Sequence, residues 1–327
     1  MGLSEAAVFS CTGEIIVATP SSESLSISVC ICTYNRSQKL LRLLNNINDE
    51  LQVPSNCRVE FVVVDNNSSD DTRNIVESFE CHYPLRYEFE ARQGLSYARN
   101  HALEVTDSDW ICFTDDDVIL EQYWLHNYYI AISSNDADYL GGRILLNWQQ
   151  TARPAWLKDE NMSLIAGVLC KYDLGENIIE YTESMPTPYG ASFALSRRLI
   201  DKNGVFRVDL GVIGSVPGRG EETEYFQRAK GKDALGFYCG EVICYHDVWL
   251  ERLTTRYMFL HGVEKGKAES IIENHSPTSI WAEWLFWLKG IRQCLLGRYD
   301  RYLQCVINAG ILHGKRKAQK QVQGVPE

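Results

Sequence analysis

Short apolar runs that stop in polar turns recur along the first 130 residues. Ile27–Cys32 has the make-up of a buried strand and gives way to Thr33-Tyr34-Asn35-Arg36. Val59–Val64 repeats the pattern and stops at the turn Asp65–Asp70. Leu85–Phe89 and Trp110–Phe113 supply a third and a fourth strand. Helical patterns fill the gaps: Leu40, Leu41, Leu43, Leu44 and Ile47 after Ser37, which suits a cap; a segment from Ser69 or Asp70 to Phe79; and Ser96–Val105, with Ala98, Ala102 and Val105 on one face. Four strand-then-helix units predict a largely parallel sheet with helices on both faces. Ligands bind such sheets at the carboxyl ends of the strands. Thr33–Arg36, Asp65–Asp70 and Asp115–Asp117 are therefore expected side by side.

Beyond Ser133 the alternation breaks. Tyr139–Leu146, Pro188–Leu195 and Ala234–Tyr245 read as strands, the last ending at His246. An aromatic, irregular stretch lies between the first two, from Trp148 to Tyr181. A short helix around Arg198–Lys202, a glycine-rich loop over 211–220 and a helix from Glu221 to Lys230 precede the last strand. Arg252–Glu269, Ser279–Leu296 and Tyr302–Leu312 read as helices. Residues 1–25 form a weakly patterned lead segment, with one edge strand expected at Glu14–Ala18.

Composition changes this picture little until charge is resolved along the chain. A hydrophobic content of 45% and a charged content of 23% over 327 residues are those of an ordinary globular protein. The net charge of −11 argues against nucleic acid as a partner. Between Leu285 and Lys320, however, eight lysines and arginines face one acid, Asp300. The basic tail follows Trp281-Ala-Glu-Trp-Leu-Phe-Trp-Leu288. Two readings stay open for this part: helices that pack on the sheet or form a homodimer, or aromatic and basic residues at the rim of a membrane. Eleven cysteines are scattered without a CxxC pair, as expected of reduced thiols in a cytosolic protein. No leader pattern and no 18-residue apolar span is visible, so the expected location is cytoplasmic.

Candidate chemistry begins where the fourth strand ends. Asp115, Asp116 and Asp117 stand in succession, and three like charges there repel each other unless something cationic compensates them. A hard divalent metal on oxygen ligands would do so. A solvated acidic turn or a helix cap is the plainer alternative. No GxGxxG follows the first strand, so a nucleotide here would be held by carboxylates, Asn, Arg and metal. Glu221 and Glu222 open a helix after the glycine-rich loop, where acids commonly do no more than complement the helix dipole.

Seven fragments in order give these pieces a common context: Val29–Arg36, Val62–Asp70, Gly94–Asn100, Phe113–Asp117, Tyr189–Arg197, Gly204–Gly211 and Gly220–Arg228. Together they resemble the inverting family-two glycosyltransferases, which have the GT-A fold: a Rossmann-like, mostly parallel α/β sheet flanked by helices, here with a C-terminal helical extension. The resemblance implies a nucleotide-binding half over residues 26–135, an acceptor-binding half over 136–250 and an extension over 251–327. It places Thr33, Asn35, Arg36, Asp65, Asn67, Gly94 and Arg99 at the donor nucleotide and its phosphates. It assigns Asp115 and Asp117 to the acidic positions of the DxD motif, for ribose and metal, with Asp116 in the variable middle position. His246 becomes an additional ligand, favouring Mn²⁺ over Mg²⁺, and Glu222 the general base. The family often carries Asp at the base position and Asn where Ser192 stands. The implied reaction moves a sugar from a nucleotide-sugar, a UDP-sugar first among them, to a carbohydrate or lipid-linked acceptor. Its rivals are a nucleotidyltransferase, which would prefer a glycine-rich phosphate loop after the first strand, and an idle nucleotide- or glycan-binding protein.

Overall fold

The computed structural model describes residues 24–213, 220–272 and 279–322, so the expected strand at Glu14–Ala18 lies outside the described residues. The strand–helix alternation is present as β1 (Ser26–Thr33), α1 (Ser37–Glu50), β2 (Arg58–Asp65), α2 (Thr72–Ser78), β3 (Leu85–Phe89), α3 (Leu95–Val105) and β4 (Trp110–Asp115). β1, β2 and β4 are covered on both faces, which is why they carry continuous runs of Val, Ile, Cys and Phe instead of alternation. These four strands run parallel in the order β3-β2-β1-β4. Register places Thr33 opposite Asp65 and Cys32 opposite Asp115, so the turns after β1, β2 and β4 leave from one edge.

The second half continues as β5 (Val118–Leu120), α4 (Trp124–Ser134), β6 (Tyr139–Asn147), α5 (Ala166–Leu169), β7 (Ile178–Glu180), β8 (Ser192–Ser196), α6 (Arg197–Asn203), α7 (Glu221–Lys230) and β9 (Gly236–Asp247). The sheet order is β3-β2-β1-β4-β8-β6-β9-β5, with β7 also on β9. Here the sheet is mixed: β8 is antiparallel to β4 and β6, β6 is parallel to β9, and β5 and β7 are antiparallel to β9. Parallel pairing needs a substantial crossover connection, usually a helix. The excursion between β6 and β8 contains only a 3₁₀ turn (Asp159–Leu164), the single turn of α5 and the short β7.

One local expectation is corrected. Ser37 is the first residue of α1, not its cap, and its N–H donates to Asp70 Oδ2 at 2.9 Å. The other oxygen of that carboxylate accepts from Thr72 N–H (3.1 Å) and Oγ1 (2.5 Å). One aspartate in the β2–α2 turn thus satisfies the orphan donors of two helix starts.

The chain closes with α8 (Thr255–Ile272), α9 (Ile280–Leu295) and α10 (Tyr299–Val322). A first apolar core fills the space between the sheet and its helices. A second joins Leu157, Met162, Ile165 and Val168 to Val248 and Met258 and to Leu303, Val306 and Ile307 of α10. α8 and α10 approach closely because Gly262 and Gly266 of one face Gly310 and Gly314 of the other. A methyl group on Gly266 would collide with the Ile311 carbonyl, and one on Gly314 with that of Val263.

Candidate active site

The turns after β1, β2 and β4 meet at the carboxyl edge. Asp116 is buried and accepts from Thr33 Oγ1 (2.7 Å) and Arg36 Nη1 (2.9 Å), so the middle carboxylate anchors the β1 turn. Arg36 Nη1 also lies 3.4 Å and Lys39 Nζ 3.6 Å from Asp117 Oδ2. Asn35 and Asn67 adopt the left-handed backbone that asparagine tolerates, with φ of 51° and 65°. Asn35 Oδ1 accepts from Ser69 N–H at 2.7 Å, tying the first turn to the second. Asp65 accepts from Ser68 N–H and Tyr87 Oη, each at 2.8 Å. Asn66 Oδ1 accepts from Gly94 N–H at 2.7 Å, which places the start of α3 beside the same edge.

His246 reaches this cluster through strand register. Antiparallel pairing sets Val118 of β5 opposite His246 of β9, beside Asp117. Donor atoms of Asp115, Asp117 and His246 all lie within 4.8 Å of one another. Nδ1 of His246 is 2.9 Å from the Asp247 carbonyl oxygen, which can only accept, so Nδ1 carries the proton. Burial depresses His246 to about 4, leaving a neutral ring whose Nε2 lone pair faces Asp117 Oδ1 at 3.4 Å. Two lone pairs facing each other repel unless a cation lies between them. Among the described residues the Asp115 carboxylate has no hydrogen-bond or ion-pair partner, and burial together with Asp117 pushes it up to about 7. Two converging carboxylates, of which Asp115 is unpaired, and one imidazole form a donor set that fits Mn²⁺ or Mg²⁺. Asp247, fully buried, is held by Asn147 Nδ2 (2.7 Å) and by Arg42, fixing the strand end that presents His246.

Across the cavity, α7 begins with Glu221 and Glu222. Arg99 of α3, 2% exposed, donates to Glu221 Oε1 (2.9 Å) and Glu222 Oε1 (3.1 Å). Glu222 remains 19% exposed to the cavity, whereas Glu221 is 3% exposed with Oε2 unpartnered. Gly190 makes room for this pair, since a Cβ there would strike both Arg99 Nη2 and Glu222 Oε1. Burial and the neighbouring Glu222 charge push Glu221 up to about 8. Burial is the largest single influence on Glu222 and acts in the same sense, but the Arg99 charge together with hydrogen bonds from Glu221, Arg99 and the backbone holds the carboxyl below its ordinary value. The two carboxyls titrate as a pair, and the Arg99 charge and the hydrogen bonds to Glu222 favour ionisation of Glu222 over the more deeply buried Glu221.

A cavity of about 670 Å³ spans the two clusters. Thr33, Arg36, Asp115, Asp116, Asp117, Arg99, Glu222 and His246 line it, whereas Asn35, Asp65, Asn67 and Gly94 are outside the lining and shape the turns, Asn35 and Asn67 being exposed. Asn66, not Asn67, reaches the cavity wall. Arg99, expected at the phosphates, is engaged by the two glutamates. Tyr189 lines the cavity and packs on Tyr172 at 4.9 Å. Trp148 and Trp156, also candidates for stacking on a sugar, pack instead against the second apolar core. Arg92 pairs with Glu90 at 2.7 Å and lies outside the lining. Sequence reasoning missed Arg252 and the α8 wall formed by His261, Lys265 and Ile272. These follow the recognisable motifs, and only the helical pattern of Arg252–Glu269 hinted at them.

A mixed sheet with a carboxylate-bearing parallel half, closed by an acidic helix start from the second half, is the GT-A glycosyltransferase architecture. The model of "Glycosyl transferase family 2" matches residues 28–204, and the chain belongs to that family. The succinoglycan biosynthesis protein ExoM of Rhizobium meliloti is 28% identical over 208 residues, 62% of this chain and 61% of that protein. Glycosyltransferase AglE of Haloferax volcanii is 32% identical over 120 residues, 36% and 39% of the two chains. The chain thus covers less than two thirds of the length of these relatives. The mannosyltransferase PcManGT from Pyrobaculum calidifontis, solved with GDP-Man and Mn²⁺, shares the fold at a TM-score of 0.54 and 16% identity, over 95% of this chain and 80% of that one. S. aureus TarS 1-349, solved with UDP-GlcNAc, does so at 0.54 and 16%, over 92% and 93%.

Proposed function

We propose that this glycosyltransferase moves a sugar, with inversion, from a nucleoside-diphosphate sugar to a carbohydrate or lipid-linked acceptor, and that it needs Mn²⁺ or Mg²⁺. The carrying observation is a single cavity with Asp115, Asp117 and His246 at one wall and Glu222, held by Arg99, at the other. Solved neighbours with UDP-GlcNAc and with GDP-Man support a nucleoside-diphosphate donor, and a UDP-sugar is the first choice. The relative named for succinoglycan biosynthesis supports polysaccharide or glycoconjugate assembly. Among the described residues no helix is long and apolar enough to cross a membrane. We place the chain in the cytoplasm, with its C-terminal helices at the inner face of the membrane.

In this reading Asp117, Asp115 and His246 hold the metal, which when bound neutralises charge on the departing diphosphate. Thr33 and Arg36 contact the nucleotide, Asn35, Asp65 and Asn67 shape the turns that present them, and Asp116 locks Arg36 toward the phosphates. Gly94 positions the start of α3. Arg99 keeps Glu222 ionised and oriented, and Glu222 accepts the proton of the acceptor hydroxyl as that oxygen attacks the anomeric carbon from the face opposite the diphosphate. No covalent sugar–enzyme intermediate forms.

A thermal-shift screen of UDP-, GDP-, TDP- and CMP-linked sugars with Mn²⁺ tests the donor and the metal together. One nucleotide should stabilise the chain in a Mn²⁺-dependent manner, and Asp117→Ala should abolish that shift. Undiminished stabilisation of Asp117→Ala would remove the metal assignment.

A further inference from the structure

The donor and acceptor site does not use the C-terminal helix pair, yet α9 carries the largest exposed apolar face among the described residues. Trp281, Trp284, Leu285, Leu288, Ile291 and Leu295 are 54–83% exposed. At helical spacing they fall within an arc of roughly 120° along a 16-residue helix, a stripe about 24 Å long. The opposite face of α9 is satisfied. Glu283 pairs with Arg316 at 2.6 Å and with His313, Trp287 packs on Phe259 with ring centroids 5.5 Å apart, and Gly290 lies on Tyr302 and Cys305. The stripe is therefore a surface left over after packing is complete, and one of this extent calls for an occupant.

Charge identifies the occupant. Arg292 lies within the stripe, Lys289 borders it, and Arg298 and Arg301 continue from its end, all four exposed. The one acid of α9, Glu283, is turned inward. Tryptophans at one end and cations along the rest suit the headgroup zone of an anionic bilayer, where aromatic rings sit at the interface and long basic side chains snorkel to phosphate. A second copy of the chain suits the stripe poorly. A twofold contact over the stripe would take Arg292 out of water on both copies with no acid of α9 on that face to neutralise it.

We propose that the outward face of α9 docks the enzyme in the plane of an anionic lipid surface. Placement relative to the cavity agrees. Ile272, at the end of α8, lines the cavity, and α9 starts eight residues later at Ile280, which bounds their separation to below about 30 Å. An acceptor whose lipid lies in that surface could present its sugar or phosphate head to the cavity. The inference deepens the proposed function by naming the surface and the kind of partner, but lipid binding is measured without turnover.

The test uses the intact chain and vesicles of phosphatidylcholine with or without phosphatidylglycerol. Binding should require phosphatidylglycerol, weaken as salt is raised and shift tryptophan fluorescence to the blue as Trp281 and Trp284 leave water. Leu285→Asp with Leu288→Asp should weaken binding roughly tenfold or more, and Lys289→Glu with Arg292→Glu should remove the preference for anionic lipid. Both pairs should retain the nucleotide-sugar thermal shift, because no altered residue lines the cavity. Absence of vesicle binding by the intact chain overturns the proposal. So does undiminished binding by the double-aspartate variant, or a solution dimer which that variant dissociates. Vesicle binding by a chain that no nucleotide-sugar stabilises would retain this surface and discard the proposed reaction.

Discussion

At the scale of single residues, the Glu221–Glu222 pair on Arg99 gives the sharpest tests of the proposed reaction. Glu222→Gln keeps the shape of α7 and its contact with Arg99 but cannot accept a proton. It should retain donor binding while turnover falls by about 10²–10⁴-fold, read as kcat at saturating donor. Near-normal turnover would move the base elsewhere. Glu221 gives a separate signature in stability. Its folded carboxyl is raised from an ordinary 4.5 to about 8 by burial and the Glu222 charge. Between those values the folded chain binds a proton that the unfolded chain has released, so this contribution falls as pH rises through the window and levels off above about 8. Glu221→Gln should flatten the fall, a difference of at most about 1.4 kcal/mol per pH unit in urea titrations. An unchanged slope would mean that Glu221 is already ionised near neutrality. Asp115–Asp117 was legible as a charged cluster in need of a cation, because three adjacent carboxylates are visible in one dimension. Arg99 on the glutamates was not: the residues it joins lie 122 and 123 positions away, and a helical arginine after a glycine looks the same whether it meets phosphate or carboxylate.

Elements were legible to the extent that their patterns are periodic. The first four strands and their helices fall where apolar runs and stripes place them, because strands buried on both faces leave an unbroken signature. β5 and β7, each three residues long, and the antiparallel setting of β8 were not legible, since direction is set by the long connection and leaves no mark inside the strand. The α8–α10 contact was also hidden. Two glycines four apart in each helix look like weak helix sequence until the partner backbone appears against them. Gly266→Ala should force the helices apart at the Ile311 carbonyl and destabilise the chain by about 1–3 kcal/mol. Because Lys265 and Ile272 of α8 line the cavity, acceptor KM should rise more than donor affinity falls. A variant as stable as the parent would show that this approach is slack.

For the molecule as a whole, the boundary near residue 250 marks a change of pattern, but packing crosses it. The second apolar core draws on the excursion between β6 and β8 through Leu157, Met162, Ile165 and Val168, and on α10 through Leu303, Val306 and Ile307. Neither part buries these side chains without the other. Removing residues 279–327 should therefore cost stability on the order of 5 kcal/mol in that core. The loss should be local: amides over 157–169 lose protection in hydrogen exchange, whereas those of β1, β2 and β4, enclosed by the first core, keep it. The donor half would still assemble the Asp115–Asp117 edge, since every partner of Asp116 lies within residues 33–36. Nucleotide binding should then outlast acceptor binding in the truncated chain. Full protection of 157–169 after truncation would instead make the last two helices an independent appendage. The lipid-facing stripe of α9 would then hang from the catalytic body without a mechanical link to it, and acceptor capture would depend on the length of segment 273–278 alone.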